Sequence, residues 1–462
     1  MPYITGLAGV PGAGYFADNN GLPRLVLGDA PWGLCGNAGR WNSGNWQADY
    51  DTYLASRGGQ GYTVIYTKPM GTTQNLGIND DGRTFDPLWP FQGGTPSTGS
   101  SGADPSSGLT EAYWTRIDYL LASALAQGIT IFLNAIGYGD DFLTAGPLAG
   151  KSTAEFTAYG TALGTRYAST PNLVWHLSDD YFGTGDSLIT AFMTGVSGAG
   201  DTHAVSIENM AESDSRNTFD ATPSVCAWGT SFAGYNFCYS YNQTYVGIEK
   251  AYAEASPIPV IQGDGYFGQG GSTYSSTLDR AMRQDAWWAL TSGARGVIQG
   301  FESVWQWQST ALASSGTDWY PAVNAGKIRA AFEGLNGWHL LIPDTSSLLV
   351  TAGRGTHAAT FASGGGGGQY EPAFTSSYVS ASVTPDMTLA VAYLPNHTTI
   401  TIDQGKIAAG YGAKWMDPVT GATTAATAGS TYNSAAQGSN SAGDPDWVLV
   451  LSSPPYATWT VP

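Results

Sequence analysis

Short apolar, β-branched runs alternate with segments of helical period along the first three quarters of the chain, and this alternation constrains the fold more than any other feature. Strand-like runs fall at residues 24–29, 61–66, 129–134, 172–177, 203–207, 224–228, 258–262 and 295–299. Between them lie helical segments such as 46–57, 153–168, 187–196, 245–255, 277–291 and 322–335. Ile117, Leu120, Leu121, Ala124 and Leu125 form one apolar helical stripe that stops at Gly128. A Gly-, Pro- and Ser-rich stretch at 80–108 reads as a long loop. Eight strand–helix pairs with buried parallel strands predict a (β/α)8 TIM barrel, an α/β fold.

Beyond about residue 340 the helical period is lost. Runs at 347–350, 357–361, 388–393, 398–402, 413–416 and 447–451 alternate with turn residues and predict a β-sandwich, with 364–368 as a loop inside it. The expected organisation is a barrel over residues 1–340 and a sandwich over 341–462, the latter with a core independent of the barrel.

Charge then narrows the partners. Thirty-six acidic against 18 basic residues give a formal charge of −18, which disfavours nucleic acid and anionic membrane surfaces. No run approaches the roughly 20 apolar residues that span a bilayer. The opening Met1-Pro-Tyr-Ile-Thr-Gly6 shows no basic segment followed by an apolar one, so no secretory signal is expected. Three cysteines (Cys35, Cys226 and Cys238) cannot build a disulfide framework, and they read as buried thiols, although the last two could pair. No metal site and no cofactor are expected. Sixteen Trp and 26 Tyr beside only 12% charged residues suit a protein that meets carbohydrate.

In such a barrel the chemistry sits at the C-terminal ends of the strands. Asp29, Lys68, Asn134, Asp179, Asp180, Glu208, Asp264 and Glu302 all fall at or just past predicted strand ends, with Trp32 and Trp305 close by. An acidic residue just past a strand also caps helices and ends turns, so each of these carboxylates has that alternative reading. Trp175-His-Leu-Ser-Asp-Asp180 ends a strand without opening a helix at once, which favours a chemical role for Asp180. Several carboxylates converging on one aromatic rim meet the needs of glycoside hydrolysis, where one carboxyl must hold a proton and another must stay ionised.

These residues also carry a family resemblance. Leu27-Gly-Asp-Ala-Pro-Trp32, Tyr53-Leu-Ala-Ser-Arg57 with Gly61-Tyr62, and Ile117-Asp118 resemble the apiosidase-like glycoside hydrolases. Arg166-Tyr-Ala-Ser-Thr-Pro-Asn-Leu-Val-Trp175 through Asp180 is similar to that family's most characteristic stretch, and Pro259-Val-Ile-Gln-Gly-Asp264 lies where the family carries its nucleophile. Trp338 onward, Tyr393-Leu-Pro395, Trp415-Met-Asp-Pro-Val-Thr-Gly421 and Asp446-Trp-Val-Leu-Val-Leu451 resemble the family's C-terminal domain, often labelled collagen-binding.

The resemblance implies Asp180 as acid/base and Asp264 as nucleophile, with Asp29 and Asn134 as substrate contacts. Position at or beside the strand ends, not the resemblance, adds Trp32, Lys68, His176, Asp179, Glu208, Glu302 and Trp305 as expected substrate contacts, and the stretch around Glu208 departs from the family. Asp264 departs from the family's usual Glu, and it would act either as nucleophile on a shifted backbone or as base for a water. The Gly-, Ala- and Thr-rich composition and the opening Gly9-Val-Pro-Gly-Ala-Gly-Tyr-Phe16 resemble minor tail proteins of phages of actinobacteria. The expected substrate is a furanosidic or branched cell-wall glycan met outside the cell, and other virion tail proteins are possible partners. The alternative is a virion structural or adhesion protein whose barrel binds host polysaccharide with weak or no cleavage.

Overall fold

The computed structural model describes residues 1–10, 13–70, 82–93, 104–137, 147–181, 185–216, 229, 232–253, 258–263, 276–311, 320–358 and 376–454. Eight strands build the barrel: β1 (Val26–Asp29), β2 (Val64–Thr67), β3 (Thr130–Leu133), β4 (Leu173–Tyr181), β5 (Val205–Asn209), β6 (Asn236–Tyr239), β7 (Val260–Gly263) and β8 (Gly296–Gln299). Neighbouring strands pair in parallel except β5 and β6, which share no ladder among the described residues, and β1 returns to β8 with Val26 opposite Gly296 and Asp29 opposite Gln299. The described helices between them include α1 (Trp46–Gly59), α2 (Glu111–Ala126), α3 (Thr153–Tyr167), α4 (Asp186–Gly198), α5 (Thr244–Tyr252), α6 (Ser276–Thr291) and α7 (Tyr320–Glu333). Ser152 and Glu155 start α3 with a reciprocal capping box.

Strand alternation sorts side chains between the barrel interior and the helical layer. Val26, Val64, Tyr66, Phe132, Val174, Phe237, Tyr239, Ile261 and Ile298 fill the interior. A hairpin that the periodicity did not announce (Ile4–Val10 and Ala13–Asp18) plugs the N-terminal mouth with Ile4 and Phe16, and Thr130 Oγ1 donates to the Ile4 carbonyl at 2.8 Å.

The sixth strand corrects the sequence reading. Residues 224–228 lie outside the described residues, and β6 runs instead over Asn236–Tyr239, where Phe237 and Tyr239 enter the barrel. The seam between β5 and β6 is joined largely by hydroxyls. Ser206 Oγ donates to the Tyr235 carbonyl at 2.6 Å, Ser215 Oγ donates to the Ile207 carbonyl at 2.6 Å, and the Phe237 amide donates to Ser215 Oγ at 2.9 Å. Cys35 and Cys238 are buried free thiols, and burial pushes the Cys35 thiol up to about 12; Cys226 lies outside the described residues.

A β-sandwich follows. Its larger sheet runs β9-β11-β12-β17-β14-β15, formed by Ile342–Pro343, Ser380–Val383, Leu389–Leu394, Trp447–Ser452, Gly412–Met416 and Thr423–Ala426 in that order. The smaller sheet is β10-β13-β16, formed by Val350–Ala352, Thr399–Ile402 and Thr431–Asn433. Residues 359–361 of one predicted strand lie outside the described residues.

The sandwich keeps a core of its own between its two sheets, but its larger sheet is also buried on the opposite face. Ala390, Ala392, Leu394, Leu449 and Leu451 face the smaller sheet, whereas Leu389, Val391, Tyr393, Val448 and Val450 pack on α6 and α7 through Trp287, Trp288 and Phe332. The central strands are therefore buried on both faces. Polar ties cross the same boundary: Trp287 Nε1 donates to the Pro418 carbonyl and Trp288 Nε1 to the Tyr378 carbonyl, both at 3.0 Å. Arg283 pairs with Asp446 at 2.8 Å and with Asp444 at 2.7 Å.

Candidate active site

The site forms where β2 to β6 end. β4 leaves regular geometry there, since its register with β5 shifts between Leu177 and Tyr181 and Ser178 (φ 58°) and Asp180 (φ 46°) are both left-handed. Left-handed backbone is uncommon outside glycine and gathers at functional sites. Here it sends two consecutive carboxylates to opposite sides of the rim. Asp179 turns toward β2 and accepts from Lys68 Nζ at 2.6 Å. Asp180 turns toward β6 and meets the Tyr239 hydroxyl.

The irregular turn is clamped from below. Asn134 Nδ2 donates to the Ser178 carbonyl at 2.7 Å, and Tyr66 OH lies 3.4 Å from the same oxygen. Tyr66 OH also donates to Glu208 Oε2 at 2.8 Å. His176 sits beneath, its Nδ1 2.7 Å from Tyr235 OH and its Nε2 3.7 Å from Glu208 Oε2. Burial pushes the imidazole down to about 3, so His176 is neutral at ordinary pH.

Asp180 responds in the opposite sense. Burial first, then the charges of Glu208 and Asp179, push its carboxyl up to about 7, against the opposing pull of Lys68 and the Tyr239 hydrogen bond. A partly exposed carboxyl that keeps its proton near neutrality is suited to general acid catalysis. Aromatic surface extends the rim toward β1 and β8. Lys68 Nζ lies 4.8 Å from the Trp32 ring centroid, and Trp32 lies 5.7 Å from Trp305. Farther out, Trp41 is 45% exposed and its indole N–H donates to the Trp307 carbonyl at 3.0 Å.

The structure thus gathers Trp32, Lys68, Asn134, His176, Asp179, Asp180, Glu208 and Trp305 around one rim, but it separates those that can touch a ligand from those that cannot. Lys68, Asn134, His176 and Glu208 are at most 1% exposed and bonded to protein, so they underlie the site rather than line it. Asp29 does not join the site. Val26 faces the barrel interior, so parity turns Asp29 outward, where it accepts from Arg57 Nε at 2.6 Å and Tyr53 OH at 2.7 Å. It joins β1 to α1.

Asp264 lies outside the described residues, and Glu302 opens a short helix (Glu302–Trp305) after β8. Gly263, which precedes Asp264, is required by packing: a Cβ there would lie 1.9 Å from the Phe237 ring. The sequence reading missed Tyr66 and Tyr239. Tyr66 was legible as the interior aromatic near the end of β2, whereas Tyr239 was hidden by the misplaced sixth strand.

Comparison with known proteins agrees with this geometry. Residues 11–330 match the family described as "Apiosidase-like, catalytic domain", and residues 372–452 match "Putative collagen-binding domain of a collagenase". No curated protein sequence matches the chain. Among solved structures, one described as "Glycoside hydrolase" is 16% identical with a TM-score of 0.74, covering 98% of each chain. A glycoside hydrolase family 5 protein from Bacteroides vulgatus ATCC 8482 is 15% identical with a TM-score of 0.72, covering 98% of this chain and 94% of its own. These two likenesses concern the fold, a TIM barrel followed by a β-sandwich; the family match spans most of the chain, which belongs to the apiosidase-like glycoside hydrolases.

Proposed function

We propose that this glycoside hydrolase cleaves a furanosidic or similarly branched cell-wall glycan outside the cell, with Asp180 as the general acid and Asp264 as the second carboxylate. The observation that carries the reading is Asp180 itself: a partly exposed carboxyl at a strand end, pushed up to about 7, beside an aromatic rim. In the first step the Asp180 proton passes to the glycosidic oxygen, which keeps the electron pair of the breaking C–O bond, while the anomeric carbon bonds either to the Asp264 carboxylate or to a water whose proton Asp264 takes. The charge left behind faces Tyr239, whose hydrogen bond favours the ionised form.

Leaving-group dependence tests the assignment. Asp180→Asn should slow a poor alkyl-type leaving group by about 10²–10⁴-fold, while an activated aryl furanoside, which needs little protonation, is far less affected. Equal loss on both would refute the role of Asp180. Full activity in Asp264→Ala would refute the second carboxylate.

One feature favours a second reading. Asp264 stands where the family usually has Glu, and a carboxylate shortened by one methylene suits a virion tail protein that holds host polysaccharide and cleaves it weakly. Binding of arabinogalactan without release of reducing sugar would favour that alternative.

A further inference from the structure

Trp41 presents 45% of its surface to solvent, although the loop that carries it is tied down at several points. From α1, Asp49 accepts from the Gly39 amide at 2.7 Å and from Asn42 Nδ2 at 3.1 Å. The Gly44 amide donates to the Gly39 carbonyl at 2.9 Å and closes the turn. The ring itself is held twice. Its indole N–H donates to the Trp307 carbonyl at 3.0 Å, and the Arg40 guanidinium stands 4.9 Å from its centroid. Trp307 keeps a left-handed backbone (φ 49°), where a bulky side chain is strained, with its own ring buried edge-on against Tyr53 at 5.2 Å. An exposed indole fixed in this way has already lost the freedom that a ligand would otherwise have to restrict.

The two loops that fix Trp41 also build the aromatic end of the site. The Gly33 amide donates to the Trp305 carbonyl at 2.7 Å. A Cβ at Gly33 would lie 2.7 Å from the Gln306 carbonyl oxygen, so the loops after β1 and β8 meet with no side chain between them. Trp305 lies 5.7 Å from Trp32, which faces Lys68 and through it Asp179. Trp32 and Trp305 are half-buried, and Trp41 is the most exposed of the three.

The neighbours of Trp41 indicate what covers it. Asn42, Ser43 and Asn45 are exposed in its own loop, and Gln306 and Gln308 are half-buried in the loop that holds its indole N–H. A flat apolar face ringed by amides and hydroxyls suits a sugar ring, whose C–H face stacks while its hydroxyls hydrogen-bond. A protein-docking surface would present a contiguous apolar patch. The other large apolar side chains exposed among the described residues, Met1, Leu22, Phe232, Leu348 and Met387, come from other parts of the chain. A formal charge of −18 argues against a polyanionic ligand.

We propose that Trp41 is a separate platform for a neutral sugar residue of a polysaccharide, outside the position where cleavage occurs, so that this chain acts on polymers rather than on small glycosides. The inference rests on the reading of the rim as a glycan-cleaving site, and its test separates the two. Binding is read without turnover in the full chain carrying Asp180→Asn, by affinity electrophoresis in soluble arabinogalactan, arabinan, xylan and mannan. Adding Trp41→Ala should weaken binding of the best-held polymer about tenfold. Trp41→Leu, which keeps apolar area but no flat face, should lose as much, and Trp41→Phe should bind more tightly than either.

With Asp180 intact, Trp41→Ala should lose about tenfold more kcat/KM on that polymer than on an aryl furanoside, which is too short to reach both positions. A merely structural role would lower both alike. Undiminished affinity in Trp41→Ala, equal affinity in Trp41→Leu and Trp41→Phe, equal loss on both substrates, or no polymer held by any form overturns the proposal. If Trp41→Ala does not fold, the comparison of Trp41→Leu with Trp41→Phe decides it. Ring-dependent binding without turnover in any form would sustain the platform and refute the hydrolase reading instead.

Discussion

Replacing Trp287 by Ala tests whether the barrel and the sandwich unfold as one body. Trp287 is fully buried on α6, stacks 6.3 Å from Tyr393 on β12 and lies 6.1 Å from Phe332 on α7. Its indole N–H also donates to the Pro418 carbonyl. Truncating a buried Trp to Ala costs about 3–5 kcal/mol, and the orphaned carbonyl adds about 1 kcal/mol. Against a total stability of about 5–15 kcal/mol, the loss is large enough to read in any unfolding experiment. Because the side chain belongs to barrel and sandwich at once, the loss should fall on both. Urea unfolding followed by near-ultraviolet circular dichroism should move to lower midpoint in a single transition. Amide exchange in β12 and β17 should speed up as much as exchange in β7 and β8. A variant in which the barrel weakens while β12 and β17 keep their protection would refute the shared core, as would a total loss under about 1 kcal/mol.

The acid should also leave a mark on stability. Asp180 is raised from 3.8 to about 7, so the folded chain holds this proton more tightly than the unfolded chain does. Stability from this group is therefore greatest below pH 4, declines as pH rises toward 7 and stays low above it; at 1.36 kcal/mol per pH unit the decline is at most about 4 kcal/mol. Asp180→Asn should accordingly stabilise the protein at pH 8 and not at pH 4, and equal effects at both would contradict the raised carboxyl. At the domain boundary, Arg283→Ala leaves Asp446 buried without its cation and should cost about 3–5 kcal/mol in thermal or urea unfolding. Arg283→Met with Asp446→Leu should cost less than the single change, and the reverse order would show that the charges themselves stabilise the contact.

The alternating pattern carried the barrel because parallel strands are buried on both faces, which leaves short, continuous apolar runs that are hard to mistake. It failed at the sixth strand for the same reason. β6 presents Asn236 and Cys238 on its outer face, so only Phe237 and Tyr239 mark it as barrel lining. Asn236 is used there to bind Asp214 through its amide at 2.9 Å, a tertiary demand that no local pattern displays. The end of β4 was legible as a site because two adjacent acids closing a buried run have no role in a regular strand. Asp29 looked the same in sequence and is different in space. Which face a strand-end residue takes depends on parity from an interior residue, here Val26, and parity can be counted only once an interior position is known.

Parity also accounts for the sandwich. Thr388-Leu-Ala-Val-Ala-Tyr393 and Trp447-Val-Leu-Val-Leu451 lack the polar alternation of a sheet with one wet face, and each residue of β12 and β17 is buried. A two-sheet domain standing alone would show polar residues at every second position of these strands. Their absence means that a third layer covers the sheet. α6 supplies it with Trp287 and Trp288, adjacent indoles whose N–H groups both donate to carbonyls of the sandwich. The helix is thus committed on two sides, to the barrel strands β7 and β8 and to the sandwich, and its register ties the two together. Val450→Ala, on the α6-facing side of β17, tests that tie. It should speed amide exchange in β7, β8 and β17 together while leaving the Asp180 titration midpoint in place. Loss of protection confined to β17 would show that α6 does not join the barrel to the sandwich.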